Sequence, residues 1–350
     1  MGTLRNIGGE AGAGGASGRR AALARAGRAA RAGEWWEYKL VPIYAMFYAT
    51  ALVAGLPLHT LWPAALLLLI AVGAGAVYVS VLNDVADLQE DLAAGKPNRV
   101  AGRSRAFVAL LLAVPIAVGL LVAWNWRADP LRLLPYLAAW IAFTLYSLPP
   151  VRLKARGVAG VLADAAGAHL FPTLVAVVIV LRFGGVEPNP IWLAATSLWA
   201  FAYGLRGILW HQLLDAEADR AAAVDTFVQR CGRDRAVALA RFVIFPVELC
   251  AFSVVFSQMP SWLPLLFLGF YLLLVRKKLH VFQMQAVIVE PRPRYLIILH
   301  EYYDLFLPLS LLLACAWRWP LDLAALFIHF LLFPRRLLHT LRDLWKLRPF

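Results

Sequence analysis

Apolar residues run along this chain in long blocks rather than in alternation. By length the blocks fall at 36–56, 61–83, 106–124, 131–148, 159–181, 191–214, 236–256, 262–279 and 302–317. Each is close to the roughly 20 residues a helix needs to cross the hydrocarbon layer of a membrane. A tenth block, 321–333, is short for a crossing; it either spans at a slant or lies in the interface. In lipid every block must be helical, because an open strand edge would leave backbone groups unpaired. Pro42, Pro115, Pro172 and Pro246 lie inside blocks and predict kinks, not breaks. The expected fold class is therefore all-α: one polytopic bundle of about nine transmembrane helices.

Composition agrees. The 350 residues are 61% hydrophobic and only 16% charged, with a mean hydropathy of +0.68. A soluble domain is nearer 45–50% apolar and about 25% charged. Residues 1–34 hold Gly, Ala and Arg with almost no large apolar side chains, so they read as a basic tail before a bundle of 35–318. Residues 319–350 add the short apolar segment and a basic end. Cys231, Cys250 and Cys315 are isolated and indicate neither a disulfide frame nor a zinc site.

The net charge of +13 suggests nucleic acid until the charges are placed. With the N-terminus in the cytoplasm, twenty-three of the 34 Lys and Arg fall on that side and four opposite. This is the positive-inside asymmetry, and no nucleic-acid partner is needed. Trp62, Trp124, Trp126, Trp192, Trp262, Trp317 and Trp319 gather at the other face, where an interfacial aromatic belt would lie.

The chemistry sits at the ends of blocks two, four and six, which parity puts on one face. Block two ends in Asn83-Asp84-Val85-Ala86-Asp87-Leu88-Gln89-Glu90-Asp91. On a helix, Asp84, Asp87 and Asp91 share one side. Three like charges there repel unless a cation joins them. Magnesium prefers oxygen ligands and is readily shared between carboxylates and phosphates. Block six ends in Asp215-Ala216-Glu217-Ala218-Asp219-Arg220, with Asp215 and Asp219 one turn apart and His211 one turn before them. Block four ends in Tyr146-Ser147-Leu148-Pro149-Pro150-Val151-Arg152-Leu153-Lys154, whose cations, with Lys96, Arg99 and Arg220, suit a departing diphosphate. Asp164, His169, Arg206, Glu248, His300, Glu301 and Asp304 lie within or at the ends of blocks, where ionisable groups are costly and usually face a cavity. Asp164 is a candidate to bind or deprotonate an acceptor.

The segments NDVADLQED, DAEADR and YSLPPVRLK resemble the signatures of the UbiA-type intramembrane prenyltransferase superfamily, over about residues 36–317. The resemblance implies nine helices around a cavity capped by cytoplasmic loops, two magnesium ions and a polyprenyl diphosphate donor. It implies Asn83, Asp84, Asp87 and Asp91 for one magnesium, and Asp215 and Asp219 for the other. Lys96, Arg99, Arg152, Lys154 and Tyr146 would then hold the diphosphate. Asp225 stands where the family usually has a base, and Val100 where it has a proline, which points to an outlying branch. The expected reaction is ionisation of an allylic diphosphate and capture of the carbocation by an acceptor such as an aromatic quinone precursor. Alternatives are a sugar-phosphate acceptor, cyclisation of the prenyl chain on itself, or a transporter without turnover. The expected location is a bacterial inner membrane, with the site facing the cytoplasm.

Overall fold

The computed structural model describes residues 32–93, 95, 97–221 and 224–347. The basic tail through residue 31, and Lys96, lie outside the described residues. About 80% of the described residues are helical. The long helices are α1 (Ala32–Val53), α2 (Trp62–Ala86), α4 (Arg105–Asn125), α5 (Pro130–Ser147), α6 (Val158–Phe183), α7 (Pro190–Leu214), α10 (Arg233–Ser257), α11 (Leu263–Val281) and α12 (302–318). Short helices α3 (Leu88–Ala93), α8 (Ala216–Ala221) and α9 (Phe227–Cys231) follow α2 and α7. The chain ends in α13 (Leu323–Leu332) and α14 (Pro334–Lys346). The end of the bundle at which α1 begins is called the near face.

Among the described residues, four helices are long and apolar enough to cross a membrane by length and composition alone: α2, α4, α6 and α10. They differ in position. The most apolar window of α6 is 67% buried, against 17% in α4. Thus α6 is an inner helix, packed against α1, α5 and α7, and α4 covers α2 from outside. Outward residues such as Leu121 and Phe242, 69% and 72% exposed, form the broad apolar surface that lipid covers. Trp62, Trp124, Trp262 and Trp317 are exposed as a belt requires. Trp126 and Trp192 are not: both are buried, Trp126 edge-on to Tyr136 and Trp192 donating to Thr50 Oγ1 at 3.1 Å. Their indole N–H and ring area serve the core.

Prolines act in two ways. Helices α1 and α5 run through Pro42 and Pro135, and α4 through Pro115, without change of type. By contrast, π-helical turns at Ala166–Leu170, Ala240–Ile244 and Tyr302–Phe306 each end two residues before a proline: Pro172, Pro246 and Pro308. Proline lacks an N–H and its ring crowds the carbonyl four residues back. A wider turn there relieves the clash without ending the helix. Beside the first such turn, Gly204 lets α7 press onto α6: a Cβ there would lie 2.9 Å from the Ala165 carbonyl oxygen.

Two features depart from a plain bundle. Strands β1 (Gln285–Val287) and β2 (Tyr295–Ile297) pair in parallel across a short loop between α11 and α12. A parallel pair ordinarily needs a long crossover. Here Arg206 of α7, itself buried, donates to the Ile288 and Ile298 carbonyls, at 3.3 and 2.9 Å, pinning both strand ends. The second feature is the tenth block. Asp322 accepts the Leu58 and His59 N–H groups at 2.9 and 2.8 Å, at the far end of α1. His329 bonds the Tyr48 hydroxyl, and the Leu332 carbonyl accepts from Trp36 Nε1 at 2.7 Å, near the start of α1. So α13 runs antiparallel to α1 back toward the near face. Glu37 then accepts the Arg335 and Arg336 N–H groups, capping α14. Arg335, Arg336, Arg342 and Lys346 therefore join the other basic segments on one face, as the positive-inside asymmetry demands.

Candidate functional site

The two acidic motifs fold alike. Helix α2 ends at Ala86 and α7 at Leu214; Asp87 and Asp215 are the next residues, with φ/ψ of −97°/0° and −90°/5°. In each, the helical ladder carries across the bend. Asp87 N–H donates to the Asn83 carbonyl at 2.9 Å, and Asp91 N–H to the Asp87 carbonyl at 2.8 Å. Asp215 N–H donates to the His211 carbonyl at 2.9 Å, and Asp219 N–H to the Asp215 carbonyl at 2.8 Å. Asn83, Asp87 and Asp91 thus correspond to His211, Asp215 and Asp219. The expected single continuous face is bent at Asp87 and at Asp215, but the one-turn spacing survives.

The first motif is the more enclosed. Asp84 is buried, and Asp87 and Asp91 are half-buried. Asn98 Nδ2 donates to the Asp84 carbonyl at 2.7 Å and to Asp91 Oδ2 at 2.8 Å, folding the loop that carries Arg99 back over the motif. Ser147 Oγ reaches Asn83 Oδ1 at 3.4 Å, which brings the end of α5 to the end of α2. The loop after α5 then doubles back. Arg152, with φ of +38° and its N–H on the Leu148 carbonyl at 2.8 Å, adopts a left-handed conformation rare for a side chain of its size. Its guanidinium forks onto Glu90 at 2.5 Å and reaches Asp87 at 3.1 Å, and Lys154 also bonds Asp87. These charge-assisted bonds hold the strained turn. Glu90 lies beyond the span, and the hydrogen bond from Arg152 holds its carboxyl below the usual range.

The second motif is open. Asp215 and Arg220 are exposed, His211 is exposed one turn before, and Asp219 is half-buried. Gln212 Oε1 accepts the Val228 N–H at 3.2 Å, and Gln229 donates to the Ala216 carbonyl, so the loop through α9 clamps the bend. The link between the motifs is Tyr146: the charges acting on its hydroxyl come from Asp164, Asp87 and Asp219. Asp87 of the first motif and Asp219 of the second are therefore both near enough to Tyr146 for their charges to act on it.

Inward of α2's acidic end lies a cavity of about 220 Å³. Its mouth carries Lys39, Ser80, Phe143 and Asp164; its deeper wall is apolar and aromatic, with Tyr78, Tyr136 and Trp140. Lys39 Nζ lies 3.1 Å from His169 Nε2 and close enough to Asp164 to interact with its charge. Glu248 pairs bidentately with Arg206 at 2.7 Å, Asp304 with Arg336 at 2.8 Å, and Glu301 with Lys278 at 2.9 Å. Those acids hold the bundle together rather than line the cavity.

A hard divalent cation suits the acidic bends by donor type, since every side-chain donor of Asn83 and the five aspartates that faces such an ion is an oxygen. Among the described residues no three acidic, His or Cys side chains close around one point. They form no protein cage, which fits magnesium, whose remaining ligands are waters and phosphate oxygens. Arg152 and Lys154 meet Asp87's demand for positive charge. The sequence reading sent both to a diphosphate; the structure places them on the carboxylates. That reading also missed Glu90, Asn98 and Lys39. Lys39 had a signal in the sequence, since a lysine within an apolar block points to a cavity.

Comparison with known proteins bears on the family and the fold. The profile of the UbiA prenyltransferase family matches residues 40–287. A lycopene elongase/hydratase of Halobacterium salinarum is 31% identical over 164 residues, 46% of this chain and 56% of that protein, so the match spans little more than half the relative's length. The fold matches that of a UbiA homolog from Archaeoglobus fulgidus bound to GPP and Mg2+, with a TM-score of 0.56 and 19% identity over 83% of this chain and 97% of that one. The same homolog bound to DMAPP and Mg2+ matches with a TM-score of 0.53 and 18% identity, over 83% and 99%.

Proposed function

The chain belongs to the UbiA prenyltransferase family, and from that premise we propose that it moves a prenyl group from a polyprenyl diphosphate to a hydrophobic acceptor in the membrane, releasing diphosphate. It is an integral membrane prenyltransferase. The observation that carries the finer reading is the pair of matching acidic bends, each with a carboxylate near enough for its charge to act on Tyr146, and an apolar cavity inward of the first. In this reading Asn83, Asp84, Asp87 and Asp91 hold one magnesium ion, and Asp215 and Asp219 a second. When bound, the metal supplies Lewis-acid polarisation of the leaving diphosphate.

The chain's own groups do the rest. Arg152 and Lys154 transfer from Asp87 and Glu90 to the diphosphate oxygens as the carboxylates are taken up. Lys96, Arg99 and Arg220 add positive charge around it, and the Tyr146 hydroxyl and His211 face the same space. The cavity receives the isoprenoid chain and keeps water from the allylic cation. Asp164, held beside Lys39 and His169 at the mouth, takes the proton that the acceptor loses. The catalytic unit is 35–318, nine helices with a cap of near-face loops, and the near face is the cytoplasmic one of a bacterial inner membrane. Beside the aromatic acceptor expected from sequence, the name of the haloarchaeal relative makes a polyene a second candidate.

The test is to incubate the purified full chain with radiolabelled allylic diphosphates, with magnesium or with EDTA. Candidate aromatic and polyene acceptors are each supplied and omitted. The expected result is magnesium-dependent diphosphate release, lost in Asp87→Asn and in Asp219→Asn by at least about 10²-fold. Equal release by wild type and both variants refutes the assignment. Product from the diphosphate alone would replace transfer by cyclisation.

A further inference from the structure

Trp140 is set into the cavity wall in an unusual way. It stands on α5, about 9 Å inward of Tyr146 at 1.5 Å per residue, and stacks on Tyr78 of α2 with ring centroids 4.6 Å apart. A glycine makes room for it. A Cβ on Gly119 of α4 would lie 2.5 Å from the indole, whereas one on Gly75 of α2 would lie in ordinary contact, 3.8 Å from Nε1. The indole therefore occupies a notch that only glycine at 119 permits, with its other side facing the cavity. Gly119 itself does not line the cavity, and the three atoms nearest a Cβ there all belong to Trp140. Beyond the indole the space continues between Ala71, Val72 and Tyr136.

We propose that Trp140, seated by Gly119, sets how long an isoprenoid chain the cavity accepts from the donor diphosphate. This rests on the reading of the cavity as the seat of the donor's tail. A donor tail passing inward from the acidic bends meets the indole before the deep end. Truncating the indole joins the notch to the cavity and admits a longer tail. A methyl group on Gly119 pushes the indole inward and shortens what fits.

The experiment measures magnesium-dependent binding of dimethylallyl, geranyl, farnesyl and geranylgeranyl S-thiolodiphosphates to the full chain in nanodiscs, for wild type, Trp140→Ala, Trp140→Phe and Gly119→Ala. Wild-type affinity should rise with chain length and then level off. In Trp140→Ala the levelling should move to a longer analogue, whose affinity gains about tenfold relative to the geranyl analogue, since a few more methylenes leave water. Trp140→Phe should fall between. Gly119→Ala should move the levelling to a shorter analogue, and adding it to Trp140→Ala should change nothing further. Identical length profiles in all variants that still bind the geranyl analogue overturn the proposal. No binding of any analogue by wild type overturns the donor-site reading itself, and the proposal with it.

Discussion

Arg206 and Glu248 offer the sharpest quantitative test of how the near face is built. Both side chains are wholly buried, and two bonds of 2.7 Å join them. Glu248→Leu leaves a guanidinium in the core with no counter-charge, a change that typically costs about 3–5 kcal/mol. Replacing both partners, Arg206→Met with Glu248→Leu, removes the charges together and should recover most of that loss. Unfolding of the purified chain in mixed micelles, followed against SDS fraction, reads both. The double variant should still be abnormal in one place. Its β1–β2 loop no longer receives Arg206 at the Ile288 and Ile298 carbonyls. Hydrogen exchange at the Gln285 and Ile298 amides, which close the pair through Arg294 and Val287, should then accelerate while the helices stay protected. A cost below about 1 kcal/mol for Glu248→Leu, or a double variant as unstable as the single, would refute the account of this pair as a buried charge pair that also pins the strands.

Other outcomes follow from contacts already described. Glu90→Gln should free Arg152 and speed trypsin cleavage after Arg152 and Lys154. Because the Glu90 carboxyl is held below its ordinary 4.5, the clamp is whole above that pH and is lost as pH falls through the folded value. Backbone exchange at 151–155 in wild type should therefore rise only in that acid range. Lys39→Met should slow acceptor-dependent turnover while leaving magnesium-dependent binding of a thiolodiphosphate in place; loss of both would assign Lys39 to the diphosphate instead. Gly204→Ala sets a methyl group against the Ala165 carbonyl and should cost about 1–3 kcal/mol by overpacking, measured by the same SDS titration.

The spans were legible because a membrane crossing imposes a length on an apolar run. The observed helices 62–86, 105–125, 130–147 and 190–214 lie within a few residues of the blocks read from sequence. The acidic motifs were legible because like charges at helical spacing need an explanation. What could not be read was pairing across the bundle. Nothing in the sequence says that Arg206 meets Glu248, that Glu37 caps a helix almost 300 residues later, or that Arg152 and Lys154 rest on Asp87. Those partners depend on which helices neighbour each other, and periodicity along one helix carries no such information. The bends at Asp87 and Asp215 were hidden for a related reason: no proline or glycine marks them. The π turns before Pro172 and Pro246 were half visible, since proline announces a disturbance without saying which form relieves it.

The return of α13 along α1 bears on how the molecule comes into being. Helix α1 carries groups whose partners are made 263 to 298 residues later: Trp36 and Tyr48, the Glu37 carboxylate, and the amides of Leu58 and His59. Until residues 322–335 have been made, the flank of α1 that meets them is uncovered. This seam therefore closes late relative to α1's own insertion, and a chain stopped before Asp322 leaves that helix waiting for its closing partner.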